Sequence, residues 1–420
     1  MMTIIYFVLI LGVTVFIHEL GHFMFAKKYG VYVYEFSIGM GPKLFKFNRK
    51  NDETNYCIRL FPIGGFVQMA GEEVEEDKNI PIEKSLRSKT AFQRFMIMVA
   101  GVMMNFILAF VLLIFLGIFN DVSVNYVYID GSTIPNLNNG DKIVEVDGHF
   151  VNNYDKLALE LTIAAKKNFY MVVEDSRGNK KEVNVDPIAL GKNSLPYQKD
   201  FGFEVNNIEI SKSSLKEINI GDTIISVNGT NITNNLELLN ELDKANDEML
   251  LTLKDKNNKT REVKVIIKEK KSDELLGYSY GFYITGERVK GFFGTLKYAC
   301  LKFFSTVEQM LFTVFYLITG DISLNMLSGP VGIFSVVGDA GRAGFSSVIS
   351  LLSLICINVG FINFLPLPAF DGGHILFIII EKIKGSRVNP KVENTIHNIG
   401  FILLMILMVL VTYNDIIRIF

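Results

Sequence analysis

Residues 16–22 read Phe-Ile-His-Glu-Leu-Gly-His, so His18, Glu19 and His22 form an H-E-x-x-H pattern. On a helix, side chains at i and i+4 share one face, and two imidazoles so placed can reach a single metal ion. Glu19 lies beside them, positioned to take a proton from metal-activated water rather than to ligate. The chain has five histidines in 420 residues, which leaves little room for a chance match. The plain alternative is a pair of buried histidines on a core helix. It is weakened by the setting, because three ionisable groups inside an apolar run are costly without a function.

A catalytic zinc site takes a third protein ligand and keeps a fourth position open for water. Cys57, Cys300 and Cys356 are far apart and form no C-x-x-C, so they offer neither a thiolate site nor a disulfide framework. Residues 358–374 read NVGFINFLPLPAFDGGH and hold one acid, Asp371, with His374 three residues on. Asp371 ranks first as third ligand and His374 second. The alternative for Asp371-Gly372-Gly373 is a simple turn after a helix.

The elements that must position these groups are apolar. Hydrophobic residues make up 49% of the chain, too many for an ordinary soluble protein. The net charge of −2 leaves no nucleic-acid footprint, so the surroundings to expect are membrane lipid. Four segments are near the length needed to cross a bilayer: Ile4–Ala26, Phe95–Phe119, Ser346–Phe370 and the shorter Ile399–Tyr413. The first carries the H-E-x-x-H and lacks a basic start, so it reads as a retained helix, not a signal peptide. Tyr298–Thr319 is interrupted by Lys302, Glu308 and Gln309 and reads as an interfacial amphipathic helix. Lys and Arg crowd residues 27–94 and 382–391, which places both on the cytoplasmic side, and both termini with the central segment outside. Asp371 then matches the depth of His18 and His22 only if Tyr298–Thr319 does not cross.

The central segment, 121–287, reads as soluble, β-rich and duplicated. Gly140–Gly148 (GDKIVEVDG) matches Gly221–Gly229 (GDTIISVNG) at an offset of 81 residues. Asp175–Gly178 with Glu182-Val183 matches Asp255–Asn258 with Glu262-Val263 at 80. Each unit has a strand closed by Asp-Gly or Asn-Gly, a hairpin turn signal, and then a helical stretch. This order resembles the PDZ domain. The first copy is the more worn, since the stretch before Gly140 is short and polar. Nearer the first helix, Ile38–Phe47 and Leu60–Met69 are glycine-rich and read as two β-hairpins dipping toward the site. Around Gly64, Gly65 and Phe66 a peptide could add as an extended strand.

Taken together, H-E-L-G-H in a first membrane helix, N-x-x-P-x-P-x-x-D-G-G in a later one and PDZ-like units between them resemble the site-2 protease family, most of all its bacterial regulator of sigma-E protease branch. Residues 36–42 (FSIGMGP), 62–67 (PIGGFV), 100–106 (AGVMMNF) and 328–333 (SGPVGI) are similar to that family too, with Val102 where it often has Pro. The resemblance implies one Zn²⁺ on His18, His22 and Asp371, with Glu19 as catalytic acid and base. It implies that Asn358, Asn363, Pro366 and Pro368 help to accommodate substrate, an idea the residue types allow. Amides inside an apolar helix can bond an opened peptide, and prolines expose carbonyls. The expected fold is a polytopic α-helical membrane protein of about four spans with membrane-associated β-hairpins and two tandem PDZ-like domains outside. The expected divisions are 1–120, 121–195, 196–287 and 288–420. The activity implied is cleavage of transmembrane protein substrates, such as an anti-sigma factor, in the bacterial inner membrane, with the site toward the cytoplasm. Clearance of remnant signal peptides is one rival, and a non-enzymatic PDZ scaffold is the other.

Overall fold

The computed structural model describes residues 2–50, 52–72, 80–191, 195–196, 199–269, 275–322 and 329–419. Ser328 of the motif at 328–333 lies outside them. Two units divide the chain, one made of residues 1–122 and 288–420 and the other of residues 123–287.

In the first unit, helix α1 (Met2–Lys28) carries the H-E-x-x-H and is followed by two long bent strands, β1 (Val33–Asn48) and β2 (Asn55–Met69). The two hairpins expected from sequence are thus one sheet. Residues 33–38 pair with 65–69 on one side (Phe36↔Val67) and with 55–58 on the other (Phe36↔Tyr56), which leaves 65–69 at an edge. Helix α2 (Ala91–Phe119) starts from a capping box, in which Thr90 Oγ1 accepts from the Gln93 N–H and Gln93 Oε1 from the Thr90 N–H. After α3 (Tyr154–Ala164) and α4 (Asn235–Lys244), which belong to the second unit, come α5 (Gly291–Thr319), α6 (Pro330–Ala343), α7 (Phe345–Phe364), α8 (Asp371–Lys384) and α9 (Pro390–Ile419). Among the described residues, five helices, α1, α2, α5, α7 and α9, are long and apolar enough to cross a membrane. The segment expected at the interface therefore lies within a helix that qualifies on length and composition, though it is the least apolar of the five.

Contacts fix how these helices run. The H-E-x-x-H end of α1 meets the start of α2, so the two are antiparallel. Thr295 Oγ1 at the start of α5 donates to the Gly117 carbonyl near the end of α2 (3.1 Å). Helix α6 then leans on the first turns of α1, with Phe334 edge-on to Phe7 at 5.4 Å. Helix α7 begins at that same end, where Ser346 Oγ bonds Asn120 Oδ1 (2.9 Å). Between α2 and α7 the chain thus leaves and re-enters at one end of the bundle. At that end Asp415 of α9 is buried, and its Oδ2 accepts the Gly332 N–H in the first turn of α6 (2.7 Å). A carboxylate there satisfies an N–H that has no partner within its own helix and favours the helix dipole.

The second unit holds two six-stranded sheets. In one, strands run in the order 282–289, 122–132, 142–146, 169–174 and 180–185, with 149–150 on 142–146 and helix α3 (Tyr154–Ala164) following. In the other the order is 203–206, 209–213, 223–227, 248–254 and 260–266, with 230–231 on 223–227 and α4 (Asn235–Lys244) following. The duplication reaches single hydrogen bonds. Asp141 and Asp222 accept the N–H of Asn138 and Asn219, and Asn153 and Asn234 cap α3 and α4. Asp147-Gly148 and Asn228-Gly229 have positive φ at both residues (49° and 87°, 48° and 81°), as a type I′ hairpin turn demands. The first sheet takes its outer strand from residues 282–289, beyond the boundary at 195 drawn from sequence.

Candidate active site

His18 and His22 are buried on the face of α1 that meets α2. Their Nε2 atoms are 3.2 Å apart, and Asp371 Oδ2 lies 3.1 Å from the first and 3.3 Å from the second. Ligands at zinc bond lengths of about 2.0–2.1 Å in a tetrahedron sit about 3.3 Å from one another, so the triangle has the edges of a zinc site. Asp371 Oδ2 is sealed from solvent and has no hydrogen-bond partner among the described residues. Two imidazole nitrogens and a carboxylate oxygen converging in this way fit a bound cation.

Glycines allow the approach. A Cβ on Gly21 would lie 2.3 Å from the Ala100 carbonyl oxygen, and one on Gly101 would lie 2.3 Å from His22 Nε2. Helices α1 and α2 therefore cross with backbones nearly touching. His22 Nδ1 donates to the Ile97 carbonyl (2.9 Å), which fixes the tautomer that turns the Nε2 lone pair to the metal. Buried Asn105 sits 3.4 Å from His18 Nδ1 with its own Oδ1 unpaired. With the carboxamide turned over, Oδ1 accepts the His18 Nδ1–H, the same support from a second residue.

Asp371 arrives differently. It opens α8 directly after the turn 365–370 that ends α7. A Cβ on Gly372 would lie 2.0 Å from the Leu365 carbonyl oxygen, so only glycine lets α8 start so close to α7. His374, the second-ranked ligand, is not in the triangle: its Nδ1 bonds Glu393 Oε1 (3.1 Å) and its ring stacks on His397 at 3.9 Å.

Glu19 points to the sheet, where its Oε2 accepts the Val67 N–H (3.1 Å) on the edge strand 65–69. Gly65 is next to it, with room for no side chain against the Ser37 carbonyl (2.7 Å), and Gly64 has φ +84°. Arg59 lies over the Phe66 ring at 4.9 Å and pairs with buried Glu35 (2.6 Å), which also meets Lys43. Burial alone would raise the Glu35 pKa, but the hydrogen bonds and charges of Lys43 and Arg59 hold it below the usual carboxylate range. Asn358 and Asn363 are half-buried on α7, and neither carboxamide has a partner among the described residues. Pro366 is exposed and Pro368 half-buried in the turn before Asp371. Sequence reading passed over Asn105, Gly21 and Gly101 as individual residues. Asn105 did give a signal, a lone amide inside a run of apolar residues.

A helical membrane bundle with two histidines and an aspartate at zinc spacing, and a non-ligating carboxylate beside them, defines a membrane zinc metalloprotease. The sequence model of peptidase family M50 matches residues 6–407, and the chain belongs to that family, the site-2 proteases. It is similar to the zinc metalloprotease RasP of Shouchella clausii, 32% identical over 462 residues and covering both chains in full. It is similar as well to RasP of Geobacillus kaustophilus, 30% identical and covering all of this chain and 98% of that one.

Proposed function

We propose that the chain cleaves transmembrane segments of single-span proteins, with His18, His22 and Asp371 holding one zinc ion and Glu19 moving the proton. The convergence of three ligand atoms within 3.3 Å of one another carries this reading. A zinc ion held there supplies Lewis acidity at the scissile carbonyl. Glu19 takes a proton from the attacking water and delivers it to the leaving amine nitrogen. The edge strand 65–69, with Gly64, Gly65 and Phe66, offers backbone groups to a substrate in extended form. Such a form is needed because a helical peptide keeps its carbonyls bonded and shielded. The free amides of Asn358 and Asn363 bond the opened segment, and the turn through Pro366 and Pro368 borders it.

In this reading α1, α2, α7 and α9 cross the membrane. The segment containing α5 makes no net crossing, because α2 ends and α7 begins at the same end of the bundle. The Lys and Arg bias puts the metal toward the cytoplasm and the second unit, with its PDZ-like repeats, outside. That unit then acts as a filter on substrates, an anti-sigma factor being the class that the resemblance implies.

Glu19→Gln is expected to lower cleavage of a transmembrane test substrate about a thousandfold while zinc stays bound. Cleavage and metal content are measured on one preparation, and retained activity would sink the mechanism. Replacing residues 121–287 by a flexible linker is expected to keep hydrolysis and to admit substrates with large outer domains. If full-length and pre-trimmed forms of one substrate are still told apart, the filter lies in the membrane unit.

A further inference from the structure

Asp371 can close the triangle only if the turn before it holds its shape, and that turn is strained. Ala369 has φ +75°, a left-handed conformation that is costly for a residue with a Cβ. It stands two residues before the carboxylate. Something outside the turn must hold it there.

Helix α9 touches the turn at two places one helical step apart. His397 Nδ1 accepts the Ala369 N–H (3.1 Å), and a Cβ on Gly373 would lie 2.9 Å from His397 Cε1. Three residues on, a Cβ on Gly400 would lie 2.3 Å from Pro368 Cβ. The ring of His397 is held from the other side by the stack on His374 and by Phe377 at 5.7 Å.

The direction of the hydrogen bond is decisive. A backbone N–H can only donate, so Nδ1 presents its lone pair to Ala369 and the proton of the neutral ring is on Nε2. His374, Glu393 and His397 do offer three ligand atoms within 4.8 Å of one another, as a second metal site would. With its proton on Nε2 and its lone pair spent on Ala369, however, the His397 ring is not a ligand. Its Nε2 is buried and has no partner among the described residues, so the one bond the ring makes through nitrogen is to the turn.

We infer that His397 is a positioning residue for the reaction: its neutral ring, accepting the Ala369 N–H, holds the left-handed turn that sets the Asp371 carboxylate against His18 and His22. The inference rests on the reading of Asp371 as a metal ligand.

The test uses the full chain purified in detergent, with zinc retention against a graded chelator as one readout and kcat and KM on a transmembrane test substrate as the other. His397→Phe keeps an aromatic ring against His374 and removes the acceptor. Zinc affinity is expected to fall about tenfold to a hundredfold, as for loss of a group that orients a ligand, with kcat falling and KM little changed. His397→Asn returns an acceptor near the Nδ1 position and is expected to recover to within about threefold of the parent, which bulk alone would not do. Ala369→Gly removes the penalty on the turn, so the loss caused by His397→Phe is expected to shrink in the double variant. Parent-like zinc retention in His397→Phe, or equal loss in the Phe and Asn variants, overturns the proposal. So does a second zinc per chain that Glu393→Ala removes, which would make the ring a ligand. Asp371→Ala separates the two levels: if that variant keeps its zinc, the ligand assignment fails, whatever His397 does.

Discussion

The two halves of the metal triangle are built in opposite ways. His18 and His22 sit on an unbroken helix, and their spacing is a property of α1 alone. Tertiary contacts only orient their rings, through Ile97, Asn105 and the glycine contact of α1 with α2. Asp371 owes nothing to local periodicity. It is delivered by the end of one helix, a strained turn, the start of another and the pressure of α9. A pair of ligands can thus be written into five consecutive residues, His18 to His22, while the third needs three helices and the turn between two of them.

The contrast is tested most severely at the third ligand. Asp371→Ala is expected to lose zinc and all measurable cleavage, while His374→Ala keeps most of both. Metal analysis beside a cleavage assay reads the result, and the reverse pattern would move the role to His374. A smaller and sharper difference is expected at the glycines. In Gly101→Ala the new methyl meets first the ring of His22, at 2.3 Å from Nε2. Zinc affinity should fall about a hundredfold, with thermal stability little altered. Gly372→Ala meets backbone oxygens of Phe364 and Leu365. That turn must open, and overpacking of this kind costs about 1–3 kcal/mol as well as the metal. Equal losses of stability in the two variants would show that the halves are held alike.

The sequence displayed the parts that are local. H-E-x-x-H on α1, the apolar runs and the duplicated GD…DG and GD…NG strands follow from residue types at fixed spacing, while the choice of Asp371 over His374 follows from its being the one acid of its segment at the depth of the histidines. What stayed hidden depends on approach between distant segments. Nothing in residues 38–69 says that two glycine-rich stretches will lie in one bent sheet rather than two hairpins, because pairing partners are chosen by three-dimensional proximity. Nothing before residue 195 shows that the first repeat takes a strand from 282–289. Interruptions by Lys302, Glu308 and Gln309 suggested a shorter surface helix, yet residues 291–319 form one helix, with Phe303 edge-on to Phe106 at 5.4 Å.

The burial of Asp415 against the start of α6 has a consequence for α9 as a whole. One end of this helix is tied to α6 through Asp415, and the other grips the turn before Asp371. Between them Phe401, Leu403 and Val409 face outward and stay exposed. A helix of 30 residues is about 45 Å long, well beyond the ~30 Å of bilayer hydrocarbon, so it must tilt or reach into the headgroups. In the proposed topology α9, held at His397 and at Asp415 about 27 Å apart at 1.5 Å per residue, acts as a ruler laid across the membrane. Bilayer thickness then becomes a variable of the active site. We expect zinc exchange to change a few-fold between vesicles of short and long acyl chains, and exchange that ignores chain length would show that the ruler is slack.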